Sequence, residues 1–339
     1  MDFSLSEEQT MLRDSTREFA RERLAPLAAE AEEQGFSHPE VLNELAELGY
    51  FGICTPAEYG GAGFDTLCLV LAIEEISKVD ASIALMLSVT NSLAQGSILK
   101  YGDEPQKKKY IEPLALGKKV GAFCLTEPEA GCDAAGIKTS ADHRDGHYIL
   151  NGTKTFITNG GFADTFIVFA VTDKSAGKNG ISALIVEKDY EGFKIGKAER
   201  KMGMRASSTT EIIFENCNVP EENLLGEEGQ GFKIALSMLD KSRISIAAQA
   251  LGISEGAFEQ ATEYAKVRHQ FGRPLSDFQA IQFMLADVAT EIEAARLLIY
   301  KAASEADQGM KISKSAAMAK LFASEAAFRC VHKALQIHG

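Results

Sequence analysis

The sequence has no closely spaced pair of cysteines; its six thiols stand at 54, 68, 124, 132, 217 and 330. That scatter excludes a disulfide framework and a zinc site, and it points to a reducing compartment, the cytoplasm. Nor does any basic block offset the formal net charge of −13. Nucleic acid and anionic membrane are therefore not expected as partners, because both need clustered cations. The run Lys107-Lys108-Lys109 reads as one solvated helix face. No apolar run approaches membrane-spanning length, so no membrane insertion is expected. The opening residues, Met1 to Glu8, lack the basic and apolar regions of a secretory signal and the Arg-rich character of a transit peptide. A Rossmann fingerprint, a nucleophile elbow and an internal repeat are also missing. The glycine loop Gly226 to Lys233 carries two carboxylates where phosphates would sit and has no Lys-Ser/Thr pair. His143 and His147 flank Asp145-Gly146, a hairpin-turn dipeptide, so they are not read as metal ligands and no metal is expected.

What is present is 339 residues with 45% apolar and 24% charged content, the composition of a globular protein with two or three packed modules. Ser6 and Gln9 form a capping box, and Leu12 and Phe19 continue at helical spacing. Gly35 and Ser37-His38-Pro39-Glu40 stop that helix and start another. Helical runs follow near 66–78, 81–100 and 104–116, closing at Gly117. From Val120 the pattern becomes strand-like, with turn signals at Asp145-Gly146, Asn159-Gly160-Gly161 and Asn179-Gly180. Strands are expected at Tyr148–Asn151, Thr165–Val171, Ile181–Val186 and Glu211–Phe214. Long helices return at Gly231 to Arg268, 276–308 and 313–337. The fold class is α+β multidomain: an N-terminal all-α domain (1–119), a middle antiparallel β-barrel or sandwich (120–225) and a C-terminal helical bundle (226–339).

Two stretches of the middle module are expected to lie side by side. Phe123 to Asp133 and Phe156 to Gly161 each begin as an apolar strand and break into a turn rich in Thr, Pro, Gly and Asn. Such breaks present free N–H groups and hydroxyls at the end of a buried strand, where a cofactor can use them.

Six motifs carry a resemblance that spans the whole chain. They are Leu125-Thr126-Glu127-Pro128-x-Ala130-Gly131-x-Asp133, Asn151-Gly152-x-Lys154-x-Phe156-Ile157-Thr158-Asn159-Gly160, and Lys201-Met202-Gly203-Met204-Arg205-Ala206-Ser207-Ser208-Thr209. The others are Val219-Pro220-x-Glu222-Asn223-Leu224-Leu225-Gly226, Arg268-x-Gln270-Phe271-Gly272-x-Pro274-Leu275, and Gln336-Ile337-x-Gly339. Together they resemble the acyl-CoA dehydrogenase family, whose helical, β-barrel and helical-bundle order agrees with the α–β–α reading. The resemblance implies FAD and the oxidation of an acyl-CoA to a trans-2-enoyl-CoA. It implies that backbone N–H groups near Leu125 and Thr126 face the flavin N1/O2 edge, that the Thr158 hydroxyl meets N5, and that Phe156 packs on the ring. Phe123, Gly131 and Phe271 join the cofactor-binding set by the same resemblance. Cys132 replaces the Ser usual near the pyrophosphate and the CoA, and is a weaker donor. Arg268, Gln279, Gln336 and Gly339 match positions that reach FAD, the first two that of a neighbouring subunit. Asp240 and Arg243 match positions that contact the CoA, although their spacing also suits a surface ion pair.

The resemblance also implies a carboxylate that removes the substrate α-proton. Most of the family carries this Glu beyond the Gln-Ile-x-Gly motif, so it is expected beyond Gly339, the chain reading as a truncated enzyme. The alternative helix position holds Ser242, which cannot act as the base. The segment Met86 to Leu93 resembles the short-chain, butyryl-CoA-oxidising members. Electron-transfer flavoprotein as acceptor and a homotetramer, a dimer of dimers, are further expectations. Alternatives are a branched-chain relative, an oxidase and a non-catalytic FAD-binding relative.

Overall fold

The computed structural model describes residues 4–339, and they fall into two compact units. One comprises residues up to Ala29, Asp65–Leu85 and Arg243–Gly339; the other comprises Glu30–Phe64 and Met86–Ser242.

Capping chemistry sets the helix ends. Helix α1 (Glu7–Phe19) starts from Ser6, whose hydroxyl accepts from the Gln9 N–H while the Gln9 side chain accepts from the Ser6 N–H. It passes through a π-helical turn, Ala20–Leu24, into α2 (Ala25–Gln34). Helix α3 (Pro39–Glu47) follows, and α4 (Thr66–Ser77) is capped by the Asp65 carboxylate on the Cys68 N–H. Next come α5 (Ala81–Ser88), a π-helical stretch Val89–Gln95, α6 (Gly96–Tyr101) and α7 (Glu104–Ala115). Together, Ala81–Tyr101 is long and apolar enough to cross a membrane by length and composition, which corrects the expectation that no run reaches that length. Within the protein 83% of its apolar window is buried, the signature of a core helix.

The sheet of the second unit has eight strands: β1 (Gly121–Cys124), β2 (Ser140–Arg144), β3 (His147–Thr158), β4 (Thr165–Val171), β5 (Ile181–Glu187), β6 (Phe193–Ala198), β7 (Thr209–Pro220) and β8 (Leu224–Leu225). Their order is β6-β7-β3-β2-β4-β5-β8, with β1 beside β4. The pairing is mostly antiparallel, but β1 runs parallel to β4, so the module is a mixed sheet and not purely antiparallel. Asp145-Gly146 turns β2 into β3 with both residues at positive φ. Strand β4 explains why the sheet has two buried faces. Phe166, Val168 and Ala170 join a core with Leu150, Ile212 and Phe214, whereas Ile167 and Phe169 join one with Ile98, Ile111 and Ile234. A strand apolar on both faces must be covered on both.

The first unit is helical. Helices α8 (Gly231–Val267), α9 (Gln279–Asp307) and α10 (Ser313–His338) are the long elements, with a hairpin of β9 (His269–Gln270) and β10 (Arg273–Pro274) before α9. Gly252 and Gly256 let α8 approach the end of α4: a Cβ there would meet the Glu74 carbonyl at 2.2 Å and the Lys78 carbonyl at 2.3 Å. The contact buries Glu74 and Glu75 beside Glu255, Lys78, Arg17 and Arg296. The Glu74 carboxylate accepts from Arg296 Nε at 3.3 Å and from the Tyr300 hydroxyl at 2.9 Å. Burial and the neighbouring Glu255 carboxylate nevertheless push its pKa up to about 8.

A raised carboxyl pKa makes the folded state bind a proton that the unfolded chain releases near its ordinary value of 4.5. The stability Glu74 supplies is therefore complete below that value and is lost as the pH rises towards about 8. Urea unfolding of Glu74→Gln is expected to show a weaker fall in stability between pH 5 and pH 8 than the wild type. Parallel pH profiles would contradict this assignment.

Candidate functional site

The two stretches singled out in the sequence do lie side by side. Strand β1 ends at Cys124, and the following backbone turns along β3: the Thr155 N–H donates to the Thr126 carbonyl at 2.9 Å. Lys154, a β3 residue with no exposed surface, donates to the Leu125 carbonyl at 3.1 Å and to Glu127 Oε1 at 2.7 Å. The Glu127 carboxylate also accepts from the backbone N–H groups of Lys138 (2.6 Å) and Thr139 (3.0 Å). Burial opposes ionisation of Glu127, but Lys154 and these donors hold its carboxyl below the usual range. Burial pulls the Lys154 ammonium down in turn. Glu127 and Ala130 exchange backbone hydrogen bonds, which closes the loop into a tight turn.

The second stretch is distorted where its side chains become available. Between Lys154 and Ile157 the β3–β7 register slips, and Phe156 sits at φ 57° with its ring 62% exposed. A left-handed Phe is costly, and strain of this kind collects at functional sites. Two residues on, Thr158 pairs with Thr209 and is half-buried. Asn159, buried and also left-handed, donates through Nδ2 to the Gly121 carbonyl at 2.9 Å, while its N–H donates to the Ser208 carbonyl at 2.9 Å. Gly160 has no room for a Cβ, which would lie 2.3 Å from Thr210 Oγ1. The first three sequence motifs thus meet: Lys154 and Thr155 join the first to the second, and Asn159 joins the second to the third.

Around this junction stand Phe123, its ring 4.8 Å from that of Phe169, and Leu125, Thr126, Gly131, Cys132, Phe156 and Thr158. Gly131 and Cys132 are exposed, and nothing lies within 4 Å of a Cβ built on Gly131. Among the described residues no acceptor takes the Thr126 N–H. An unengaged amide, a hydroxyl and an exposed aromatic ring in one place are the donor set a flavin needs, so the residues present fit that group.

Of the other predicted residues, Arg243 and those after it lie in the helical unit, while Asp240 and Ser242 lie at the end of the sheet-bearing one. Arg268 is exposed at the end of α8, followed by the β9–β10 hairpin, whose turn holds Phe271 at φ 53° and Gly272 at φ 79°. Phe271 is 92% exposed. Gln279 is the first residue of α9, and Gln336 and Gly339 close α10. One apolar cluster gathers these three segments: Ala261, Ala265 and Ile337, with Leu275 and Ile281 against them. His338 stacks on Tyr264 with ring centroids 4.6 Å apart. Asp240 and Arg243 are half-buried on α8. Ser242 donates to the Leu239 carbonyl at 3.2 Å.

Sequence reasoning gave no role to the Lys154–Glu127 pair, although both residues lie inside quoted motifs. The available signal was a lysine two residues before an aromatic, between two threonines of a strand-like run. Nothing in the spacing identifies its partner 27 positions earlier.

Comparison with known proteins agrees over the whole chain. Residues 6–118 match the acyl-CoA dehydrogenase N-terminal domain, 122–217 the middle domain and 229–339 the C-terminal domain. A short-chain-specific acyl-CoA dehydrogenase of Clostridium acetobutylicum is 49% identical over 100% of this chain and 89% of its own length. An acryloyl-CoA reductase (NADH) of Anaerotignum propionicum is 47% identical over 100% of this chain and 86% of its own. Butyryl-CoA dehydrogenase from Megasphaera elsdenii superposes with a TM-score of 0.98 at 49% identity, covering 100% of this chain and 90% of that one. A chain from the study of the electron transferring flavoprotein of Acidaminococcus fermentans and flavin-based electron bifurcation gives 0.99 at 53% identity, covering 100% and 89%. The FAD complex of PigA gives 0.95 at 31% identity, covering 100% and 89%. The chain belongs to the acyl-CoA dehydrogenase family.

Proposed function

We propose that this oxidoreductase binds FAD at the Thr126–Phe156–Thr158 junction and oxidises a short-chain acyl-CoA to the trans-2-enoyl-CoA. The observation that carries the reading is the unengaged Thr126 N–H beside the strained, exposed Phe156. FAD, when bound, supplies the hydride acceptor. The Leu125 and Thr126 backbone would hold its N1/O2 edge, where donors stabilise charge gained on reduction. The Thr158 hydroxyl would hold N5, Phe123 and Phe156 would flank the ring system, and Gly131 and Cys132 would sit near the pyrophosphate. The thiol is a poor donor, so the backbone of this loop takes the larger share there.

Arg268, Phe271, Gln279, Gln336 and Gly339 form the complementary surface in our reading, offered to the flavin of a neighbouring subunit. An exposed guanidinium suits a pyrophosphate, and a solvent-facing Phe on a tight hairpin suits an aromatic ligand. A homotetramer accords with the apolar stripe of Met318, Leu321, Phe328, Val331 and Leu335, exposed along α10 at helical spacing. Asp240 and Arg243 are assigned to the CoA part of the substrate. Proton abstraction is not assigned to Ser242, whose hydroxyl has no basic character. The short-chain assignment rests on Met86 to Leu93, most of which is buried, and which enters a π-helical stretch at Val89. Such stretches recur at functional sites, and in this reading the segment would help shape the acyl pocket. Electron-transfer flavoprotein is the proposed electron acceptor.

A second reading has a specific support: the acryloyl-CoA reductase relative works in the direction of reduction. Both readings are separated by anaerobic titration of the full-length, FAD-loaded protein. Butyryl-CoA is expected to bleach the flavin more completely than octanoyl-CoA or isovaleryl-CoA. A preference for long or branched chains would contradict the short-chain assignment. Flavin that stays oxidised with every acyl-CoA, but is reoxidised by an enoyl-CoA after chemical reduction, would favour the reductive role.

Phe156 gives a sharper test of the cofactor site. Because its ring is exposed and its backbone left-handed, Phe156→Gly is expected to leave the flavin-free protein as stable as wild type or up to about 1 kcal/mol more stable. The same change is expected to weaken FAD binding about tenfold or more, the cost of an aromatic contact of roughly 1.4 kcal/mol. Unchanged affinity, measured by apoprotein titration, would remove Phe156 from the site.

A further inference from the structure

The Lys154–Glu127 pair is buried, and it joins the loop after β1 to β3 through charged groups. Replacing a buried pair by apolar groups of similar volume is often neutral for stability, so a retained pair invites another explanation. The position of the ammonium supplies one. Its Nζ lies 3.1 Å from the Leu125 carbonyl oxygen, and that carbonyl shares a planar peptide with the Thr126 N–H. In a trans peptide the two bonds point in opposite directions, so a cation held on the oxygen fixes where the N–H aims. It also draws electron density from the amide and makes the N–H a stronger donor, an effect that low dielectric enlarges.

The surroundings lock this arrangement. The Thr155 N–H holds the next carbonyl, that of Thr126, at 2.9 Å. Glu127 Oε1 keeps the ammonium in place at 2.7 Å, and Glu127 is itself fixed by the Lys138 and Thr139 amides. Lys154 and Thr155 lie two and one residues before Phe156, so the same strand segment that orients the amide also carries the bulged ring.

We propose that Lys154, kept charged by Glu127, is a positioning residue that orients and polarises the Leu125–Thr126 peptide towards the reduced flavin. It touches neither substrate nor cofactor. The inference rests on the FAD reading above, and it assigns to the pair an effect on flavin affinity and reduction potential rather than on folding.

The test is the double variant Glu127→Gln/Lys154→Met in the full-length protein, read by thermal melting, FAD titration and flavin potentiometry. Its melting is expected to match wild type, because both charges leave together. Its FAD affinity is expected to fall about tenfold. Reduced flavin is expected to lose a further factor of about ten relative to oxidised flavin, about 30 mV more negative for a two-electron couple. Wild-type affinity and potential in a folded double variant would overturn the proposal while leaving the FAD reading intact. A wild-type protein that takes up no FAD overturns both. If the double variant does not fold, Glu127→Gln alone decides. With Glu127 gone the buried ammonium loses the counter-charge that keeps it protonated, so the potential is expected to fall as in the double variant, and an unmoved potential overturns the proposal.

Discussion

A lysine ammonium buried under a strand end is the interaction on which the functional part of the molecule depends. Lys154 has no exposed surface, and its charge is tolerable only because Glu127 and the Leu125 carbonyl surround it. Those partners belong to the loop after β1, while Lys154 belongs to β3. The pair therefore ties two segments distant in sequence, and Asn159 ties the same strand to Gly121 and Ser208. With both ends fixed, the intervening residues can adopt a conformation they would not choose. The left-handed Phe156 lies between these ties, at the register slip of β3 against β7, and strain of about 1–3 kcal/mol is sustainable there because the strand ladder holds both sides.

The fold supports this junction from both faces of the sheet. Strand β4 is apolar on each side, so one face packs on β3 and β7 and the other on helices α6, α7 and the start of α8. Such a core leaves little freedom in the position of β1, which pairs with β4 and delivers Leu125 and Thr126. In the helical unit the corresponding constraint is close approach. Gly252 and Gly256 bring α8 against α4 and bury a cluster of carboxylates and cations whose balance leaves Glu74 with an elevated pKa.

Much of this was legible in the sequence, for identifiable reasons. Helices declared themselves through caps: Ser6 with Gln9, Pro39, and the pattern from Gly231 onward are local signals. Strand β4 matched its expected bounds, because Thr165–Val171 is a continuous apolar run. Strand β6 was not foreseen; Phe193–Ala198 lies largely exposed and carries no clean alternation. Strand β7 appeared only as Glu211–Phe214, since polar Asn216 and Asn218 break the pattern of a strand that runs to Pro220. The motif residues around Thr126 and Thr158 could be named, but not the buried pair that aligns them. Periodicity reports which face a residue occupies, and says nothing about a partner on another strand. The positive φ of Phe156 was equally invisible, because it arises from a register slip between β3 and β7.

The proposed site centres on one peptide, that between Leu125 and Thr126, which the buried Lys154 ammonium would present to a flavin. A crystal structure of the FAD complex tests this directly. It is expected to show the Thr126 N–H about 2.7–3.2 Å from the N1/O2 edge of the isoalloxazine, with the Lys154 ammonium still on the Leu125 carbonyl. A flavin bound away from Thr126, or a Leu125 carbonyl released from Lys154 in the complex, would contradict it.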